Sequence, residues 1–173
     1  AIAKNNVTAK NLKDLRTQYD ADPKQYQFLK QYLTISRAEI FFADKAVLIE
    51  GDTERILIPT FMRKVDLEEA SRLEAEGNED TFLPLLSQNI SIIEVGAYSQ
   101  IFEKFIDFLG IKSVILTDID AIKVTGQNAK GQDEWGACPV NEGTKTSNSA
   151  INHFLNAVTW DDLKSLPLAN RTI

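Results

Sequence analysis

The spacing of apolar positions changes several times along the chain, and each change marks an element. Between residues 6 and 37 the apolar residues recur at helical spacing: Leu12, Leu15 and Tyr19, then Tyr26, Leu29, Tyr32 and Leu33. Asp22-Pro23 breaks the run, so the pattern predicts two helices, compatible with an antiparallel pair. From about Lys45 to Glu50 the pattern becomes a solid run, Ala46-Val47-Leu48-Ile49, closed by Glu50-Gly51. Asn89 to Val95 and Val114 to Asp118 repeat that form, which is the look of strands buried on both faces. Asp52 or Thr53 can cap a helix running to about Lys64, and a charged helical stretch from Leu67 to Glu76 follows, closed by Gly77-Asn78. Tyr98 to Leu109 is amphipathic, with Ile101, Phe102, Phe105, Ile106 and Leu109 on one face and Gly110 as its cap. Strands alternating with helices across short turns predict an α/β fold. The expectation is a mainly parallel sheet of about four strands, flanked by helices on both faces and preceded by a helical segment.

The pattern fails from Ala121 to Thr146, where Gly126, Gly131, Gly136 and Gly143 sit among polar residues. A long loop is expected there, and loops of that length are usually functional. Ser147 to Val158 reads as a helix capped by Ser147 or Asn148, Trp160 to Leu166 as a short one, and Arg171-Thr172-Ile173 as the start of another strand.

Composition narrows the class. The chain has 173 residues, 43% hydrophobic and 25% charged, ordinary values for a globular protein with a real core. Its apolar runs are too short to span a bilayer, so no membrane association is expected. The single cysteine, Cys138, cannot form an internal disulfide, which fits a cytoplasmic setting. A lone cysteine and a lone histidine, His153, exclude a local zinc-finger pattern. The net charge of −6 argues against strong nucleic-acid binding by this chain alone.

The candidate chemistry lies where two apolar strands end in acid. Glu50 closes the first, and Glu54 follows one helical turn later. Asp118 and Asp120 close the third, and two positions apart on extended chain they face the same side. Strand carboxyl ends are where open α/β sheets place ligands. Four carboxylate side chains gathered there would suit a hard divalent cation, and without one their crowding is unfavourable. Each acid has a plainer reading: Glu54 answering the helix dipole, Asp52 acting as a cap, Asp118 and Asp120 as a surface turn.

Other positions carry weaker signals. Lys145-Thr146-Ser147-Asn148 could donate to a phosphate at a helix start, or form a cap beside a solvated lysine. His153, Cys138, Trp135 and Trp160 read first as packing or surface residues, as do Tyr19, Tyr26 and Tyr32 on their helices.

The Glu-Gly turn after an apolar strand, with Asp-x-Asp after a later one, resembles the Toprim fold of topoisomerases, primases and certain nucleases. The longer string from Phe41 to Glu54, Phe-Phe-Ala-Asp-Lys-Ala-Val-Leu-Ile-Glu-Gly-Asp-Thr-Glu, resembles the Toprim domain of OLD-family (overcoming lysogenisation defect) ATP-dependent endonucleases. Thr117-Asp118-Ile119-Asp120 and Thr146-Ser147-Asn148 are similar to that family too. The resemblance implies a helical lead-in over 1–40 and a catalytic Toprim-like domain over 41–173 that is incomplete at its carboxyl end. It implies a metal-dependent endonuclease acting on DNA, with Glu50, Asp118 and Asp120 catalytic. Those three and Glu54 would hold Mg²⁺ or Mn²⁺, as two ions. Glu50 could act as a general base or purely as a ligand.

In that family an ATPase domain precedes the Toprim domain. No Gly-x-x-x-x-Gly-Lys-Ser/Thr loop occurs here, so ATP and the ATPase are expected only through a longer parent protein, as is any homo-oligomer. The isolated chain is then expected to cut weakly or not at all. Two other classes compete: a non-catalytic Toprim-like module for metal binding or assembly, and a haloacid-dehalogenase-type phosphatase. The latter also uses Asp-x-Asp, but normally on its first strand.

Overall fold

The computed structural model describes residues 9–36, 38–155 and 159–166. Helix α1 (Leu12–Gln18) is capped by Asn11, whose side chain accepts from the Lys13 amide. Helix α2 (Pro23–Ser36) begins on proline, which suits a first helical turn. The break expected at Asp22-Pro23 therefore separates two helices.

Strand β1 (Lys45–Ile49) is the centre of a three-stranded parallel sheet. On one side it pairs with β2 (Ile90–Glu94), Ile49 opposite Glu94; on the other with β3 (Lys112–Ile115), Leu48 opposite Ile115. The mixed α/β class and the parallel sheet agree with the expectation, but this sheet has three strands among the described residues, not about four. The strand expected at Arg171–Ile173 lies outside the described residues.

The sheet is covered unequally. On one face Ala46, Leu48, Ile93 and Ile115 join Phe105 and Ile106 of helix α4 (Glu103–Leu109) in a single core. Leu15, Tyr19 and Leu29 of the first two helices belong to the same core. Tyr19 is 1% exposed and its hydroxyl donates to the Ile101 carbonyl at 2.7 Å. Burial pushes its phenol up to about 12, so it remains a protonated donor. Tyr32 stands edge-on to Phe102 with ring centroids 5.0 Å apart, and the tyrosines of these helices serve packing. The amphipathic stretch before α4 is 3-10 helix from Gly96 to Phe102 rather than part of one long α-helix.

On the other face lies α3 (Asp52–Glu76), one helix of 25 residues where two had been expected. No turn former interrupts Lys64–Leu67. Arg72 bridges Glu69 at 2.6 Å and Glu76 at 2.7 Å, stitching the charged half together. Pro59 sits inside the helix without ending it. Gly51 occupies the capping position expected for Asp52 or Thr53. Asp66 accepts from the amides of Leu85 at 2.6 Å and Leu86 at 3.2 Å, fastening α3 to the segment that leads into β2.

The expected loop at 121–146 is a second sheet. Strand β4 (Ala121–Gln127) pairs antiparallel with β5 (Asp133–Ala137) and with β6 (Lys145–Thr146), with a register shift between Val124 and Gly126. The hairpin turns at Asn128, whose side-chain oxygen accepts from Lys130 N at 2.9 Å and Gln132 N at 3.0 Å. Gly131 takes the left-handed conformation there, at φ 72°. Helices α5 (Ser149–Phe154) and α6 (Trp160–Ser165) follow. The α5 start is capped by Asn148, while residues 156–158 of the expected helix lie outside the described residues. Among the described residues no helix is long and apolar enough to cross a membrane.

Candidate metal centre

Parallel pairing brings the carboxyl ends of β1, β2 and β3 to one edge of the sheet. The ladder continues briefly past the strands: Val95 N donates to the Ile49 carbonyl and Leu116 N to the Leu48 carbonyl, each at 2.8 Å. Glu50 leaves β1 at this edge. The segment Leu116–Asp120 leaves β3 beside it.

Glu50 is half-buried, and its Oε1 is surrounded by donors. The Thr117 hydroxyl donates to it, the Asp118 amide reaches it at 3.3 Å and Asn148 Nδ2 at 2.8 Å. Glu54 lies on the first turn of α3, and its Oε2 accepts from Gly51 N at 2.9 Å. That contact fixes the turn between β1 and α3, so Glu54 has the structural role that its helix-start position allowed. Asp52 is exposed in the same turn.

Asp118 and Asp120 are both exposed. Desolvation raises the Asp118 carboxyl above its ordinary value, with further upward contributions from the charges of Glu50, Glu54 and Asp120. The charges of Glu50, Glu54 and Asp120 thus reach Asp118 at one edge of the sheet. Asp120 has φ 44°, the one positive φ outside glycine among the described residues. Aspartate tolerates that region better than most residues. The strand that bears the neighbouring polar run holds this bend: Ser147 N donates to the Asp120 carbonyl at 3.0 Å, and Thr146 Oγ1 to the Ile119 carbonyl at 2.5 Å.

Among the described residues, no three His, Cys, Asp or Glu side chains are gathered into a group that could hold a metal ion. The acids share an edge without closing into a cage. Their chemistry nonetheless fits a hard divalent cation, because the donors are all oxygen and their charges raise Asp118, a repulsion that a cation removes.

Sequence reasoning missed three participants. Glu94 ends β2 at the same edge, where its carboxylate lies 3.5 Å from Arg55 of α3. The signal was available, since Ile-Ile-Glu is a third apolar strand closed by acid. Thr117 had been quoted only as part of a motif. Asn148 had been read as a cap, which it is, but its amide nitrogen also reaches Glu50 across 98 positions of chain. The other candidates lie elsewhere. Lys145 Nζ rests 3.3 Å from the centroid of the Trp135 ring. His153 Nε2 is 2.8 Å from Glu103 Oε2, and Cys138 is a half-buried free thiol.

No curated protein and no solved structure matches this chain. A family model does, over the segment that begins just before β1 and ends at the second acid of Asp118-x-Asp120. Residues 41–120 match the overcoming lysogenization defect protein-like TOPRIM domain, so this part of the chain is similar to that family's Toprim domain.

Proposed function

We propose that Glu50, Glu54, Asp118 and Asp120 bind Mg²⁺ or Mn²⁺, as two ions, and that the domain hydrolyses DNA phosphodiesters. The observation that carries this reading is the placing of these carboxylates at the carboxyl edge of a parallel sheet, where desolvation and then the charges of Glu50, Glu54 and Asp120 raise Asp118. The family match over residues 41–120 supports it, since Toprim domains are a metal-binding class that serves nucleic-acid enzymes.

A divalent cation would supply charge stabilisation at phosphoryl oxygens and activation of water at neutral pH. The chain's own part is to place the acids. Glu50 is oriented through Oε1 by three donors, and among the described residues no donor reaches its Oε2. That oxygen is the one left for a cation or for a proton from water. Asp118 and Asp120 project from a backbone held by Thr146 and Ser147. DNA as substrate follows from the family, against a net charge of −6 that gives the isolated chain little hold on phosphate. An ATPase and any homo-oligomer belong to this reading only through a longer parent protein.

A second reading, a metal-binding or assembly module without catalysis, is favoured by the net charge of −6, which gives the chain little hold on DNA phosphates. Nicking of supercoiled plasmid separates the two. The catalytic reading expects slow nicking with Mn²⁺ or Mg²⁺, none with EDTA, suppression by salt and indifference to ATP. Manganese binding without nicking, in this chain and in a longer parent alike, would establish the module. Hydrolysis of p-nitrophenyl phosphate through a trapped aspartyl-phosphate would instead establish a phosphatase.

A further inference from the structure

Asn148 is 1% exposed, and both ends of its amide are engaged. Its Oδ1 accepts from Ala150 N at 2.9 Å and Ile151 N at 3.1 Å, the pattern of a helix cap. Those two backbone donors fix which end of the amide is oxygen. The Nδ2 end therefore points the other way, into the acid edge. It lies 2.8 Å from Glu50 Oε1, 2.8 Å from Thr117 Oγ1 and 3.4 Å from Asp120 Oδ2. One neutral donor thus stands between two carboxylates that come from different strands. Thr117 extends the arrangement, accepting from Asn148 and donating to Glu50.

We propose that Asn148 is a positioning residue for the cation site: it holds Glu50 and Asp120 side by side and directs Glu50 to bind through Oε2. The inference rests on the reading of the four acids as cation ligands. The physical reason is preorganisation. Two carboxylates brought together without a counter-charge repel. A buried amide donor offsets part of that repulsion, and it adds no charge that would compete with a cation. The α5 cap locks the amide in place, so the rotamer of Asn148 is set by backbone and not by the acids it serves. Groups that orient ligands in this way commonly account for about 10–100-fold in metal affinity.

Capping and positioning can be separated, because serine caps a helix about as well as asparagine but has no amide nitrogen to reach Glu50. Mn²⁺ affinity is measured by calorimetry on the wild-type chain, on Asn148→Ser and on Thr117→Val, each with its metal-free melting curve. Thr117→Val removes the relay without touching the cap. The expected result is a metal-free fold retained in both, with Mn²⁺ bound about 10–100-fold more weakly by Asn148→Ser and more weakly also by Thr117→Val. Wild-type affinity in a folded Asn148→Ser variant overturns the proposal. So does wild-type affinity in Thr117→Val, which decides the matter if the serine variant does not fold. No Mn²⁺ binding by the wild-type chain would instead overturn the reading of the acids themselves.

Discussion

Leu48, Ile49 and Ile93 in the parallel sheet are 1% exposed or less, whereas Val124 and Trp135 in the antiparallel sheet are 44% and 42% exposed. The first sheet is a core element that happens to end in acid. The second is a ribbon on the surface, and its contribution is positional. Its short third strand and the residues after it hold the Asp118–Asp120 bend and deliver Asn148 to Glu50. The family match also ends at residue 120, at the boundary between the two regions. The difference teaches that the acids and the groups that arrange them reside in separately built parts of the chain, so each can be altered while the other stays intact.

The largest expected effect is on the acids. Asp118→Asn and Asp120→Asn should each weaken Mn²⁺ binding by more than about 100-fold by calorimetry, beyond what loss of an orienting group does. Asparagine is chosen because it tolerates the positive φ of Asp120. The metal-free proteins should melt no lower than wild type, since each change removes a repelling charge. A folded variant that binds as tightly as wild type would end the ligand role of that residue.

Stability should divide along the same boundary. Leu48→Ala, in the buried core, should cost about 2–5 kcal/mol in urea unfolding. Trp135→Ala should cost about 1 kcal/mol or less, since it removes a half-exposed ring and its contact with Lys145. Equal losses would show that the ribbon is as integral to folding as the core. Gly143→Ala falls between them. A Cβ at Gly143 would stand 2.5 Å from Trp160 Cζ2 and 3.0 Å from Ala121 Cβ, and such overpacking costs about 1–3 kcal/mol. An unchanged melting temperature would mean that α6 is not held against the ribbon through Trp160.

The smallest effect is on pH. The Asp118 carboxyl is raised in the folded state, so its stabilising contribution is complete below its unfolded value, near about pH 4, and is lost as pH rises through the folded value. Relative to Asp118→Asn, the metal-free wild-type domain should therefore lose a little stability across that window, while the lowered Glu69 and Asp162 carboxyls contribute with the opposite sign to both proteins. Saturating Mn²⁺ should reverse the slope, because the cation favours the ionised acid. The same slope in wild type and variant would remove Asp118 as its source.

How far the sequence reached follows from the same contrast. Buried parallel strands are apolar on both faces, so Ala46–Ile49 and its two partners stand out as runs, and the acids after the first and third, Glu50 and Asp118, stand out with them. Of the ribbon, Ala121 is buried, while most other strand positions are half-buried or exposed. Its strand Asp133–Ala137 shows no apolar alternation, and its glycines looked like loop residues. The turn chemistry of Asn128 with Gly131 was the signal that could have revealed it. Charge pairs at three- and four-residue spacing, Lys64 with Glu68 and Arg72 with Glu69 and Glu76, carry helix α3 through a stretch where apolar spacing alone shows a break. The Asn148 cap was legible from local sequence. Its amide's reach to Glu50 was not, because that contact exists only once the ribbon has folded back over the sheet edge.

The central claim, that the sheet-edge acids hold a divalent cation, is tested most directly by anomalous diffraction from crystals equilibrated with Mn²⁺. The account predicts anomalous density within about 2.5 Å of carboxylate oxygens of Asp118 and Asp120 and of Glu50 Oε2, with Glu50 Oε1 still bonded to Asn148. Manganese found only elsewhere on the protein, or absent from this edge at saturating concentration, would contradict it.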